Sequence, residues 1–328
     1  MRAVVLEAFG GPEVLRPREL PAPAPRDGWV DVRVQACALN PHDCLVRAGR
    51  YPDGVRFPHV PGSDAAGVRT DTGEEVVVLP SLFWGEDERA PGPDWEILGD
   101  RTPGTYAEHV LVPEDCLYPR PAGWSATDAA ALPLAGLTAF RALFARGRLR
   151  AGETVLVLGA GGGVASTAVA LAHAIGATVL VTSSTEEKLE LAHGLGANGG
   201  VLYTDPAWPQ RVRALTGGRG VDLVIDSVGS TWAEALSALA AGGRLVSFGA
   251  TGASTAEVDV RRLYFAQQSI LGSTMGSPRD FAGLLALVDG MRGWRPVVDR
   301  ILPLEAAAEA HALMESGGHT GKIVLNIG

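Results

Sequence analysis

The sequence predicts an α/β chain in two parts, an irregular β-barrel-like domain and a doubly wound parallel sheet. Three observations carry this. Up to about residue 120, short β-prone stretches alternate with Pro- and Gly-rich segments. From there to about residue 275, strand and helix patterns alternate at the spacing of βα units. Within that region one apolar strand runs straight into a glycine cluster and then a helix. A length of 328 residues suits roughly two domains, and 46% apolar against 20% charged residues allows a large core. The expected division is residues 1–119 with 276–328 in the first domain and 120–275 in the second.

In chain order, residues 2–6, 30–35, 75–79 and 106–111 read as strands of the first domain. Residues 82–103, rich in Gly, Pro and acidic side chains, read as a surface loop whose Trp84 and Trp95 pack it. The Ala/Leu-rich stretch 127–144 reads as helix. Strands are expected at 154–158, 177–182, 221–225 and 244–248, alternating with helices at 165–175, 186–195 and 231–239. Residues 281–291 and 304–314 read as helices, and 322–327 as a last strand that returns to the first domain.

The composition excludes some function classes. A formal charge of −9 and a pI near 5.3 leave no basic footprint for nucleic acid. No apolar run approaches about 18 residues, which argues against a membrane span. The opening residues 1–7 lack the apolar core of a signal peptide. Cys37, Cys44 and Cys116 are too few for a disulfide framework, so a cytoplasmic protein is expected. All but two of the 28 Lys and Arg residues are arginine, the exceptions being Lys188 and Lys322, and we read this as compositional bias.

The strongest chemical signal runs from Val155 to Ala165, Val-Leu-Val-Leu-Gly-Ala-Gly-Gly-Gly-Val-Ala. Glycine permits a tight turn and lets a pyrophosphate approach main-chain N–H groups at the positive end of the next helix. Glycines alone fit a structural turn, but the strand–turn–helix context favours nucleotide binding by Gly161, Gly162, Gly163 and Val164. Ala165 stands where a last glycine would, a packing position that tolerates alanine. An NAD site usually has Asp or Glu at the end of the second strand, for the ribose 2′-hydroxyl. Here that end reads Thr182, Ser183, Ser184, Thr185, followed by Glu186, Glu187 and Lys188. A carboxylate would repel a 2′-phosphate, whereas Ser183, Ser184 and the Lys188 ammonium suit one. The same residues also suit a helix N-cap, and the two roles are compatible. The expected cofactor is NADP(H).

Further motifs follow in order: Ala38-Leu-Asn40-Pro-His-Asp43, Gly49-Arg-Tyr51-Pro52, Pro61-Gly-Ser63-Asp64-Ala-Ala-Gly67 and Gly104-Thr-Tyr-Ala-Glu108. Beyond them lie Ala135-Gly-Leu-Thr138-Ala139, the glycine turn, Asp222-Leu-Val-Ile-Asp226-Ser-Val-Gly229 and Gly321-Lys322-Ile-Val324. On these motifs the chain resembles the medium-chain dehydrogenase/reductase superfamily over essentially its full length. The nearest likeness is to its zinc-independent quinone oxidoreductase and alcohol-dehydrogenase-like branch. The resemblance implies a GroES-like catalytic barrel, a Rossmann domain, and hydride transfer in the cleft between them. One departure is the hairpin after Gly67, which is shorter than in relatives.

A catalytic zinc needs three protein ligands. By the resemblance, the ligand positions of zinc-dependent relatives correspond to Asn40, Ser63 and Leu134, and Cys37 is not the counterpart of Asn40. The four cysteines of a structural zinc lobe have no counterpart in residues 80–103. No metal is expected, and His42 and His59 read as loop or packing residues. Without a metal, hydrogen-bond donors must polarise a substrate carbonyl, which suits hydride addition to a quinone or an α,β-unsaturated carbonyl.

The resemblance sets Asn40, Tyr51 and Thr138 beside the nicotinamide. Tyr51 either donates its hydroxyl or only walls the cleft, and Asn40 also suits a turn before Pro41. The resemblance assigns Tyr203 to the adenosine 2′-phosphate end, Gly229 to the cofactor ribose, and Phe248, Gly249 and Ala250 to the carboxyl edge of the sheet. Gly272 and Ser273 belong to a segment closing over the nicotinamide. Ordinary turn chemistry would also account for these glycines. Residues 269–274 form an edge strand suited to a homodimer. The expected function is NADPH-dependent, metal-independent reduction of a small quinone or enone. The alternatives are an NAD(P)-dependent alcohol dehydrogenase, which the lobe-like 80–103 favours, and a non-catalytic NADPH-binding protein.

Overall fold

The computed structural model describes residues 1–51 and 54–328, so Pro52 of the Gly49 motif lies outside the described residues. The chain forms two compact units, Met1–Ala135 with Ser277–Gly328, and Gly136–Gly276. The first unit runs past the expected boundary at 119. The reason is local: Leu134 donates its peptide N–H to Asp64 Oδ1 (2.7 Å), tying the segment after Ala126–Ala130 to the first unit.

Trp29–Ala38 organises the first unit. Val30, Val32 and Val34 are buried while Asp31 and Arg33 are not, the period of a half-buried strand. It pairs antiparallel with Asp64–Arg69, with His109–Pro113 along its first half, and with Lys322–Asn326 along its second. The register breaks between Val34 and Ala36. At its end, Ala38 lies opposite both Asp64 and Val324, so three distant segments meet at one point. Lys322–Asn326 continues in parallel onto Val298–Pro303. The loop between Ser81–Leu82 and Glu96–Ile97 is packed by Trp84 against Trp95, edge to face at 6.1 Å.

Among the described residues, the second unit holds a six-stranded parallel sheet. Its order is Gly199–Leu202, Thr178–Ser183, Thr154–Val157, Val221–Asp226, Leu239–Ser247, Ser269–Gly272. Thr154–Val157 is buried throughout, as a strand covered on both faces must be. The strand order reverses at Thr154–Val157, and such switch points open a crevice at the carboxyl ends of the strands. Leu156, Leu180, Val224 and Leu245 form one core with Trp208 and Val212. Residues 127–144 are not one helix. Pro133 starts a new one, Pro133–Phe140, which passes into a π-helix, Arg141–Arg146. No helix among the described residues is long and apolar enough to cross a membrane.

Candidate active site

In the first unit the site begins with backbone register. Leu39 donates its N–H to Ile323 O (2.9 Å), which sets Asn40 beside the start of Lys322–Asn326. Gly321 turns the chain into that strand at φ +84, where a Cβ would lie 2.3 Å from Val297 O. The outcome is a buried triad. Lys322 Nζ donates to Asn40 Oδ1 (2.5 Å) and to Asp64 Oδ2 (2.9 Å). Asn40 Nδ2 also donates to Asp64 Oδ2, at 2.9 Å. Asn40, Asp64 and Lys322 are 2%, 0% and 4% exposed. Burial pushes the Asp64 carboxyl up, against the pull of Lys322 and Asn40.

A second network starts from the same turn. Asn40 precedes the helix Pro41–Arg47, and its N–H donates to Asp43 Oδ2 (2.9 Å). Asp43 also accepts from Ser63 Oγ (3.0 Å) and Tyr106 Oη (3.2 Å). His42 bridges Ser63 through Nδ1 (3.2 Å) and Asp100 through Nε2 (2.6 Å). Tyr106 meets His311 Nε2 (3.1 Å), and His311 Nδ1 meets Cys44 Sγ (3.5 Å). One proton assignment satisfies every link, with Cys44 donating to His311, His311 to Tyr106, and both Tyr106 and Ser63 to Asp43. Burial works against the charge on His42, yet its bonds to Asp100 and Asp43 outweigh it and raise it to about 9. Burial likewise opposes ionisation of Asp43, but His42 beside it holds that carboxyl below the usual range.

Two arrangements here imitate other chemistries. Ser63, His42 and Asp100 have the connectivity of a hydrolase triad. His42 is already protonated at neutral pH, and Ser63 already donates to Asp43, so no base is available to activate the serine. Cys44 and His311 resemble a thiol–imidazole pair. Burial pushes the thiol up to about 12 and the imidazole down to about 4, so both stay neutral. Tyr51 is half-buried with its ring edge-on to His42 at 4.9 Å, and burial, then the charge of Asp100, raises its phenol. Among the described residues no group of three or more His, Cys, Asp or Glu is placed to hold a metal ion.

In the second unit, the glycine turn is tied to the neighbouring strand end. Gly159, at φ +73, donates its N–H to Thr182 Oγ1 (3.2 Å), and Ala160 donates to Thr182 O (2.9 Å). Gly162 is extended, and the helix Gly163–Ala174, which carries Val164 in its first turn, starts without a side-chain cap. Its leading amides are thus left for an anion, whereas Thr185 caps Glu186–Gly194. Lys188 lies over the turn: a Cβ on Gly161 would fall 2.7 Å from its Cδ and 3.3 Å from its Nζ.

The other residues expected at the cofactor occupy the same unit. Ser183 is buried and its Oγ accepts from Thr185 N–H (3.4 Å), while Ser184 is half-buried. Tyr203 is 47% exposed and donates its N–H to Ser183 O (3.0 Å), so it shares a strand end with Ser184. Ser273 Oγ is buried without a partner among the described residues. A cradle that a Cβ would fill, an uncapped helix start and an orphaned hydroxyl together fit a dinucleotide. Gly229 has its own reason to be glycine, since a Cβ there would lie 2.1 Å from Ala253 O. The carboxylate of Asp226 shapes that turn, accepting from Val228 N–H (2.7 Å), Gly229 N–H (3.1 Å) and Trp232 Nε1 (2.8 Å). Phe248, Gly249 and Ala250 follow Leu239–Ser247, with Phe248 N–H bonded to Asp226 O (2.9 Å). Gly272 accepts from Arg146 Nε (2.7 Å), and the buried Thr138 hydroxyl points to Met275 Sδ (3.9 Å).

The sequence reading overlooked Lys322, Asp64 and His42 as partners of Asn40 and Tyr51. The comparisons with known proteins bear on the whole chain. Residues 26–122 match the alcohol dehydrogenase GroES-like domain, and residues 163–290 match the family described as zinc-binding dehydrogenase. The chain is similar to the quinone oxidoreductase of Homo sapiens, 34% identical over 335 residues, 99% of this chain and 97% of that one. A solved NAD-dependent alcohol dehydrogenase is 42% identical with a TM-score of 0.94, over 100% of both chains. The quinone oxidoreductase of Thermus thermophilus, solved also with NADPH, is 34% identical with a TM-score of 0.83, again over 100% of both chains. With its GroES-like first unit and Rossmann sheet, the chain belongs to the quinone-oxidoreductase-like branch of the medium-chain dehydrogenase/reductase superfamily and is an oxidoreductase of that type.

Proposed function

We propose that this oxidoreductase uses NADPH, without a metal, to reduce a quinone or an α,β-unsaturated carbonyl compound. The observation that carries the reading is the Asn40–Asp64–Lys322 triad, a buried cation bonded to Asn40, which stands at one of the positions that correspond to zinc ligands. A divalent ion bound through Asp64 would face that ammonium. At about 4 Å and an effective dielectric of about 20, the repulsion is about 8 kcal/mol. A site of hydrogen-bond donors suits an acceptor whose developing charge spreads through a conjugated system.

A bound nicotinamide supplies the hydride. The second unit's part is to hold it. Gly161, Gly162, Gly163 and Val164 take the pyrophosphate, and Ser183, Ser184, Lys188 and Tyr203 take the 2′-phosphate end. Gly229, Phe248, Gly249, Ala250, Gly272, Ser273 and Thr138 line the ribose and nicotinamide. The first unit's part is to meet the substrate oxygen with the Asn40 amide N–H and the Tyr51 O–H, and Tyr51 passes it a proton. Lys188 over the glycine turn, with no carboxylate at the end of Thr178–Ser183, supports NADPH over NADH. Three buried free thiols support a reducing, cytoplasmic setting. A second copy pairs along Ser269–Gly272, at the sheet's edge, with the exposed Tyr264 and Phe265 just before it; sedimentation of Phe265→Asp as a monomer is the expected check.

Oxidation of NADPH and NADH with a panel of quinones and enones, alongside metal analysis, tests the reading. No NADPH turnover on the panel, or one tightly held zinc per chain, sinks it. A second reading, an alcohol dehydrogenase, is favoured by the 42% identity to a solved NAD-dependent alcohol dehydrogenase. Chelator-sensitive alcohol oxidation with NAD would establish it instead.

A further inference from the structure

We propose that Lys322 is a positioning residue, which orients and polarises the Asn40 amide as the donor to the substrate oxygen. This rests on the carbonyl or quinone reduction proposed above. An ammonium carries donors only, so the Asn40 atom 2.5 Å from Nζ is Oδ1. A flipped amide would set two donors face to face. The amide nitrogen is therefore turned to Asp64 Oδ2, 2.9 Å away. That nitrogen carries two protons. Asp64 takes one, and the other, about 120° away on the same nitrogen, meets no acceptor among the described residues. The cation at the amide oxygen draws electron density from the nitrogen and strengthens that remaining donor, an effect a buried setting enhances.

The choice of lysine is informative. The chain uses arginine for all but two of its 28 Lys and Arg residues, and yet lysine opens this strand. A single nitrogen reaches both Asn40 Oδ1 and Asp64 Oδ2, which a compact ammonium can do and a planar guanidinium would do through two separated nitrogens. Lys322 is 4% exposed and its hydrogen bonds among the described residues go to this pair, so its effect on a substrate passes through Asn40.

Lys322→Met alone leaves Asp64 buried without its cation and risks the fold. The paired variant Asp64→Asn with Lys322→Met removes both charges at nearly constant volume. The probe is 4-nitrophenol, whose ionisation is read by absorbance and needs no turnover. The unsubstituted protein is expected to favour the bound nitrophenolate, and the folded paired variant to lose that preference. NADPH binding stays the same, and kcat with a quinone falls about tenfold while the quinone KM changes little. Asn40→Asp, which removes the donor, is expected to abolish the same preference. A folded paired variant with unchanged nitrophenol ionisation and unchanged kcat overturns the role of Lys322. Absence of quinone and enone turnover in the unsubstituted protein overturns the reduction reading, while the nitrophenol measurement still reports on Lys322.

Discussion

His42 makes the stability of this protein fall as pH rises. Burial disfavours its charge, but hydrogen bonds to Asp100 (2.6 Å) and the neighbouring Asp43 carboxylate prevail and hold it as imidazolium up to about 9, from an ordinary 6.5. A group whose value is higher in the folded state binds its proton more tightly there. Its contribution is complete below pH 6.5, shrinks between pH 6.5 and 9, and is absent above. That displacement is worth about 3 kcal/mol. Urea denaturation between pH 6 and pH 10, of the unsubstituted protein and of His42→Gln, reads it. The difference between the two curves is the quantity of interest. Burial also raises the thiols of Cys37, Cys44 and Cys116, so they weaken both proteins as pH rises. The gap is expected to narrow by about 3 kcal/mol across this window. Parallel curves would show that His42 titrates no differently in the folded chain, and the reading of the Asp100–His42–Ser63 bridge would fail.

Three further outcomes are expected. His311 gives the opposite slope: burial lowers it to about 4, so stability falls as pH drops from 6.5 toward 4, and His311→Gln should flatten that limb of the denaturation profile. Lys188→Glu should weaken NADPH by about tenfold or more and NADH far less, measured by fluorescence titration; equal losses would remove Lys188 from the 2′-phosphate. Tyr51→Phe should lower kcat and abolish its dependence on phenol ionisation, and unchanged turnover would leave Tyr51 as a wall of the site.

The fold was legible where the pattern is local. Apolar, β-branched runs such as 155–158 and 179–181 suit strands covered on both faces, and the βα spacing orders them. Three elements of the second unit escaped, the short helix Val260–Phe265 among them. Gly199–Leu202 opens with two glycines and offers no periodicity, although Gly200 packs so closely that a Cβ would lie 2.8 Å from Val181 Cγ2. Trp208–Leu215 interrupts its apolar residues with Gln210, Arg211 and Arg213, yet Trp208 and Val212 reach the core from it. In the first unit, Val298–Pro303 contains Asp299, Arg300 and Pro303, which read as turn chemistry, and it becomes a strand because the edge of Lys322–Asn326 accepts it.

The site divides in the same way, by distance along the chain. The glycine turn and Ser183–Lys188 are short-range features, and the physics that selects them acts within each segment. Asn40 and Asp64 are 24 residues apart and Lys322 is 258 beyond Asp64, so register alone brings them together. A signal was nonetheless present. Lys322 heads the apolar run Ile323-Val324-Leu325, and Asp64 precedes Ala65 and Ala66. Each is a charge entering a buried strand with no opposite charge beside it in sequence. Such a charge must find its partner across the fold, since an unpaired buried ion is too costly to keep. Reading the scarcity of lysine as bias missed this. Where arginine serves nearly everywhere, the positions that keep an ammonium are those where geometry asks for a compact cation. One lies over Gly161, and the other holds the amide of Asn40.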